Sequence, residues 1–116
     1  MSDITLKDIN RNGVKYLNST SPEDINSLDV DKIRLCIEFT EKFMEPSKVK
    51  TYNSYHLKHV VEKWSNRYIS NGDYIAAALC MGLRVKPYNI FNNPNAAIYV
   101  MYKTKKLRRF FEYGVI

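Results

Sequence analysis

Leu57, Val60, Val61 and Trp64 stand at i, i+3, i+4 and i+7, with Tyr68 a turn further on. This is the buried stripe of an amphipathic helix, and Ser54 is placed to cap its start. An earlier stripe runs through Val30, Ile33, Ile37, Phe39 and Met44, widened by Leu35, Cys36 and Phe43. It predicts a core helix of about four turns from Asp29, ended by Pro46. The outward positions Asp31, Lys32, Arg34, Glu38, Glu41 and Lys42 mix signs, as a solvated face does. Beyond the Trp64 helix, Ser70 and Asp73 form a capping box with aspartate in place of the usual glutamate, and Gly72 loosens the turn. Ile75, Ala76, Ala78, Leu79 and Cys80 then predict a small-residue helix closed by Gly82.

After Gly82 the period falls to two. Leu83-Arg84-Val85-Lys86 alternates apolar and basic until Pro87, and 96–102 reads as a second strand. Asn92, Asn93, Pro94 and Asn95 supply turn chemistry between them, while 47–53 reads as a polar link. Leu107, Phe110 and Phe111 mark a last helix whose other positions are mainly basic. At the amino end, Leu6, Ile9 and Leu17 share a helical face that Asn10, Asn12 and Gly13 interrupt, and Ser21-Pro22-Glu23-Asp24 predicts a short helical turn to about Leu28.

The expected fold class is therefore α+β, mainly helical. Helix, turn, helix and β-hairpin over 54–102 follow the order of a winged helix-turn-helix, with a C-terminal basic helix appended. A chain of 116 residues suits a single domain, 1–116, with an N-terminal helical segment at 1–28, a core at 29–102 and a basic tail helix at 103–116. An apolar content of 45% with 26% charged residues fits a soluble protein. No apolar run approaches the roughly 20 residues of a membrane span, and no secretory signal opens the chain, so a cytoplasmic, membrane-free location is expected. Cys36 and Cys80 sit in apolar helical patterns and read as reduced core residues.

The net charge of +6 is unevenly placed. Residues 1–47 hold six lysines and arginines against nine acids, 48–83 hold five against two, and 84–116 hold seven against one. A basic end on a near-neutral body suits contact with a polyanion or an acidic protein surface. In the tail, Lys103, Lys105, Lys106, Arg108 and Arg109 interleave with Tyr102, Phe110 and Tyr113, so phosphate neutralisation and base stacking could occur together. The bland reading is a solvated terminal helix that buries Leu107, Phe110 and Phe111. An exposed Phe110-Phe111 face would instead favour a homodimer.

In a winged helix the second helix of the pair enters the major groove, yet here it offers Asn71, Asp73, Tyr74 and Ala77 and no cation. Sequence-specific reading by that helix is not expected. Nucleic acid would instead meet Lys58, Lys63 and Arg67 on the preceding helix, Arg84 and Lys86 on the hairpin, and the basic tail. Asn66, Tyr68, Ser70, Asn71 and Asp73 cluster at the turn as caps first and contact surface second. His56, His59 and Glu62 have metal-ligand types, but steps of three drift backward by about 60° each and no second ligand set accompanies them. No nucleophile elbow, paired carboxylates or glycine-rich phosphate loop is present, so neither catalysis nor a metal or other cofactor is expected.

Tyr55-x-Leu57-Lys58-His59-Val60-Val61-Glu62, followed by Tyr68-Ile69-Ser70-Asn71-Gly72-Asp73-Tyr74-Ile75-Ala76-Ala77-Ala78, resembles a pattern in small uncharacterised proteins of bacteria, phages and mobile elements. The resemblance covers 55–85, implies an accessory protein of a phage or mobile element, and transfers no functional residue. Two classes of function follow. One is a nucleic-acid-binding accessory or regulatory protein acting by shape and charge. The other is a protein-binding inhibitor of a host defence complex, anti-CRISPR-like or anti-restriction, working by occlusion.

Overall fold

Where the apolar spacing predicts a helix over Leu6 to Leu17, the chain makes a single 3-10 turn at Leu6–Asp8 and then a tight hairpin. Strand β1 (Ile9–Asn10) pairs antiparallel with β2 (Gly13–Val14). The cause is local: Gly13 holds φ +123°, outside any helix, and the Asn10 side-chain oxygen accepts from the Asn12 N–H at 2.8 Å, closing the turn. Ile9 and Val14 still reach the core. The computed structural model describes residues 4–15, 27–88 and 93–114, so Leu17, most of the helical turn expected from Ser21, and Asn92 lie outside the described residues.

Helix α1 (Val30–Phe43) takes the place of the predicted core helix, except that Val30, read as the start of its stripe, is exposed and Met44, read as its end, passes into a strand. The Asp29 carboxylate caps it, accepting from the N–H groups of Asp31 and Lys32, and Cys36, Phe39 and Thr40 are buried along it. The chain leaves the helix into strand β3 (Met44–Pro46), crosses to β4 (Tyr52–Asn53), and enters α2 (Ser54–Ser65). Asn53 caps α2 in place of the expected Ser54. Ser54 is buried instead, and its hydroxyl donates to the Asn71 side-chain oxygen at 2.8 Å while accepting from the Ala96 N–H at 3.0 Å.

Helix α3 (Asn71–Cys80) carries the expected capping box between Ser70 and Asp73. Asp73 does more than cap, because its carboxylate also accepts from the Asp29 N–H at 2.9 Å and so ties the starts of α1 and α3 together. Gly72 is not the turn-loosening residue that the sequence suggests. It lies inside α3, donates its N–H to the Arg11 carbonyl at 3.0 Å, and has no room for a Cβ beneath hairpin β1–β2. Every residue from Asn71 to Ala78 is buried, which makes α3 the central helix, flanked by α1, α2 and the hairpin.

Strand β5 (Val85–Pro87) buries Val85 and exposes Lys86 as the alternation predicts. The run 96–102, predicted as one strand, is two: β6 (Ala96–Ile98) and β7 (Val100–Tyr102), broken at Tyr99. Strand β6 lies between β4 and β5 in a three-stranded antiparallel sheet, while β7 pairs with β3, matching Met44 to Tyr102. The predicted link 47–53 thus ends in a strand. The chain closes with helix α4 (Lys105–Tyr113), capped by the Thr104 hydroxyl.

The core is lined with Tyr74, Phe39, Leu57, Ile69, Ile75 and Ile98, all fully enclosed. Thr40 donates to the Cys36 carbonyl and accepts from the Tyr74 hydroxyl, each at 2.8 Å, which satisfies both polar groups. Cys36 is buried as expected, and burial pushes its thiol pKa up. Cys80 is exposed, a departure from the core position that its apolar neighbours suggest, because α3 emerges from the core in its last turn. Among the described residues no helix is long and apolar enough to cross a membrane.

The Tyr102 hydroxyl is buried with no hydrogen-bond partner among the described residues. Tyr102→Phe is accordingly expected to leave stability unchanged or raise it by up to about 1 kcal/mol, since it removes an unsatisfied group and keeps the ring. Urea unfolding checks this, and a clear loss of stability would reveal a partner for the hydroxyl.

Candidate nucleic-acid interface

Helix α4 is amphipathic and docks on the body through one side. The Phe111 ring meets Phe39 at 5.0 Å, Phe43 at 4.9 Å and, nearly parallel, Tyr102 at 5.9 Å. Leu107 packs beside it, half-buried. The opposite side carries Lys105, Lys106 and Arg109, all exposed and with no ion-pair or hydrogen-bond partner among the described residues. Arg108 is engaged: its Nε donates to Glu112 at 2.7 Å and its Nη2 to the Tyr113 hydroxyl at 3.2 Å. Burial works to raise the Glu112 carboxyl, but Arg108, the Tyr52 hydroxyl and Lys50 together hold its pKa below the usual carboxylate value.

Phe110 and Tyr113 are not buried under the helix. They stand 43% and 62% exposed and form one wall of a groove of about 660 Å³ between α2 and α4. His56, Lys63 and Trp64 of α2 form the other wall. Trp64 rests edge-on against Phe39 at 5.5 Å, and His56 lies over Tyr52 at 5.8 Å, so these rings are held in place from behind. The groove therefore offers fixed aromatic rings with Lys63 in one wall and the Arg108-paired Glu112 in the other, on the same helix that carries Lys105, Lys106 and Arg109, a combination that suits bases and phosphates together.

The remaining basic residues fall elsewhere. Arg67 follows the left-handed cap at Asn66 and is exposed, as is Lys86 on β5. Arg84 lies over the Tyr99 ring at 4.7 Å, and Lys103 donates to the Glu41 carbonyl. Lys58 is the exception to the expected surface position: it is only 6% exposed, with its ammonium 3.4 Å from Glu62 and between the rings of Tyr55 and Tyr68. Enclosed by the two rings, the ammonium is neutralised locally by Glu62.

Of the residues weighed for metal, His59 bonds Glu62 at 2.8 Å and His56 stacks on Tyr52. Glu62 also accepts from the Ile69 N–H at 3.0 Å. Burial works against its charge, yet this N–H, Lys58 and His59 hold its pKa below the usual value. At the turn, Ser70, Asn71 and Asp73 are buried and structural, while Tyr68 is 58% exposed. Asn71, Asp73, Tyr74 and Ala77, the residues that would have to read bases from α3, are all enclosed, and hairpin β1–β2 covers the helix start. Sequence reasoning missed Arg11, because the hairpin that brings it to α3 follows from Asn10 and Gly13 rather than from any periodicity. Comparisons with family profiles, with curated proteins and with solved structures found no match for this chain.

Proposed function

We propose that this chain is a small nucleic-acid-binding accessory or regulatory protein of a phage or mobile element, holding its ligand by shape and charge. The observation that carries the reading is α4 itself. One helix sets Lys105, Lys106 and Arg109 free in solvent while giving Phe110 and Tyr113 to the groove that Lys63 and Trp64 complete. The topology supports the same reading, since the strand before α2 joins the hairpin after α3 in a three-stranded sheet, the arrangement of a winged helix. In this variant of that plan the ligand meets α2 and α4 instead of α3.

The test is a titration of a fluorescent oligonucleotide at several salt concentrations. Each phosphate neutralised contributes about 0.7–0.9 to the slope of log affinity against log salt, so a Lys105→Ala, Lys106→Ala, Arg109→Ala triple variant should flatten the slope by about two to three and weaken binding at all sequences alike. Its stability should stay within about 0.5 kcal/mol per substitution, because the three side chains are exposed. Wild-type protein that binds no oligonucleotide at low salt, or a triple variant that binds as the wild type does, overturns the proposal. In the first case, capture of a purified acidic protein by the same α4 surface would transfer it to the occlusion reading.

A further inference from the structure

The burial of Lys58 builds a second recess beside α2. Its ammonium lies 5.0 Å from the Tyr55 ring centre and 5.3 Å from that of Tyr68, with the Glu62 oxygens at 3.4 and 3.5 Å, the long end of hydrogen bonding. The cation is hidden, yet the rings are not: Tyr55 is 49% and Tyr68 58% exposed. Together with Arg11 and Asn95 they line a cleft of about 470 Å³, within the range of sites for small organic ligands. Asn95 accepts from Asn71 through its side-chain oxygen, which leaves its amino group to donate into the cleft, and Arg11 has no side-chain partner among the described residues. Glu62 spends its charge inward on the Ile69 N–H, His59 and Lys58.

This cleft and the α2–α4 groove lie on either side of one ridge of α2. Tyr55 and Lys58 line the cleft, His59 and Lys63 line the groove, and the Tyr55 and His59 rings touch edge to face at 4.5 Å across the surface of α2. Glu62, the single acid of α2, is turned inward, so the ridge between the two recesses presents the Tyr55 and His59 rings. In a duplex the faces of the bases are stacked inside the helix and only their edges are presented, whereas an unpaired base offers a face to any exposed ring.

We propose that the cleft is a subsite for one unpaired nucleotide, its base stacked on Tyr55 or Tyr68 and its phosphate beside Arg11. The strand continues over His59 into the α2–α4 groove, so the protein holds single-stranded nucleic acid in preference to duplex. This rests on the reading of α4 as a nucleic-acid surface and adds to it a second site and a strand preference.

Fluorescence anisotropy with an oligothymidylate of about twelve nucleotides, a length within the span of known single-strand sites, and with a duplex of equal length separates the two ideas. Wild-type protein should prefer the single strand. Tyr55→Leu with Tyr68→Leu should lower single-strand affinity about tenfold, the worth of one stacked base, and leave duplex affinity within about twofold. Tyr55→Phe with Tyr68→Phe, which keeps both rings, should bind as the wild type does. If the leucine pair does not fold, Arg11→Ala must weaken single-strand binding more than duplex binding. Equal wild-type affinity for both ligands, or an equal or absent loss in the leucine pair, overturns the cleft while leaving α4 standing. Failure of the wild type to bind either ligand removes the α4 reading instead.

Discussion

Gly72→Ala is expected to destabilise this protein by about 2–5 kcal/mol and to release hairpin β1–β2 from α3. A Cβ at position 72 would collide with the Asn10 carbonyl oxygen and lie 2.7 Å from its carbon and 3.0 Å from the Arg11 Cα. All three atoms are backbone, so no side chain can turn away. The hairpin must move, and with it go the burial of Ile9 and Val14, worth about 1.5–3 kcal/mol each. Against this stands the gain of alanine over glycine inside a helix, about 1 kcal/mol, too small to reverse the sign. Urea unfolding gives the loss, and hydrogen exchange locates it. The Val14 N–H, which donates to the Pro94 carbonyl at 2.8 Å, should lose its protection while the α3 amides beyond the first turn keep theirs. A variant as stable as wild type with Val14 still protected would mean that the hairpin backbone can give way at little cost.

The hairpin marks where the fold is and is not written in the local pattern. Helices α1, α2, α3 and α4 show themselves because each buries a stripe or follows a cap, and both signals repeat over ten or so residues. Strands β3 and β4, three and two residues long, lie in runs with no alternation of their own and are set by what they pair with. Met44 faces Tyr102 and Tyr52 faces Ile98, partners about half the chain away. The capping of α2 shows the same competition. Ser54 has the chemistry of a cap, but its hydroxyl is worth more bridging Asn71 and the Ala96 N–H in the interior, and Asn53 takes the end of the helix.

The charged surface follows similar logic. Lys105, Lys106 and Arg109 were legible as free cations because α4 turns Leu107 and Phe111 inward and must turn these outward. Lys58 was not, because a position on the flank of an amphipathic helix is decided by neighbours. Here Tyr55, Tyr68 and Glu62 close over it. Cys80 errs the other way, apolar in sequence context and exposed in space.

Asn71→Asp should be the most informative single-atom change in the molecule. The Asn71 amino group points at three oxygens, the carbonyls of Asn12 and Pro94 and the side chain of Asn95, at 3.0, 3.1 and 3.0 Å, while its own oxygen accepts from Ser54. It thus joins α2, α3, the hairpin and the loop before β6 from a site only 6% exposed. Aspartate can only accept, so its second oxygen would face the two backbone carbonyls with no proton between them, and of the three partners only Asn95 can answer, by turning its amide round. The helix dipole at the first residue of α3 would favour the charge by about 0.3–1 kcal/mol, whereas an uncompensated buried charge costs on the order of 3–5 kcal/mol, and the cost wins. Protonation is the escape, because the acid form can donate to one of the three oxygens. The folded pKa of this aspartate must therefore lie above its unfolded value of about 3.9. For an acid raised in the folded state the penalty is absent below the unfolded pKa and grows as pH rises toward the folded one. Asn71→Asp should thus lie closer to wild type in stability at acid pH than at neutral pH. Asn71→Ala, which strands the same partners without a charge, should lose about 2–4 kcal/mol at both. Parallel pH profiles for the aspartate and alanine variants would show that the site admits water, and that the four segments meeting at Asn71 are held by packing alone.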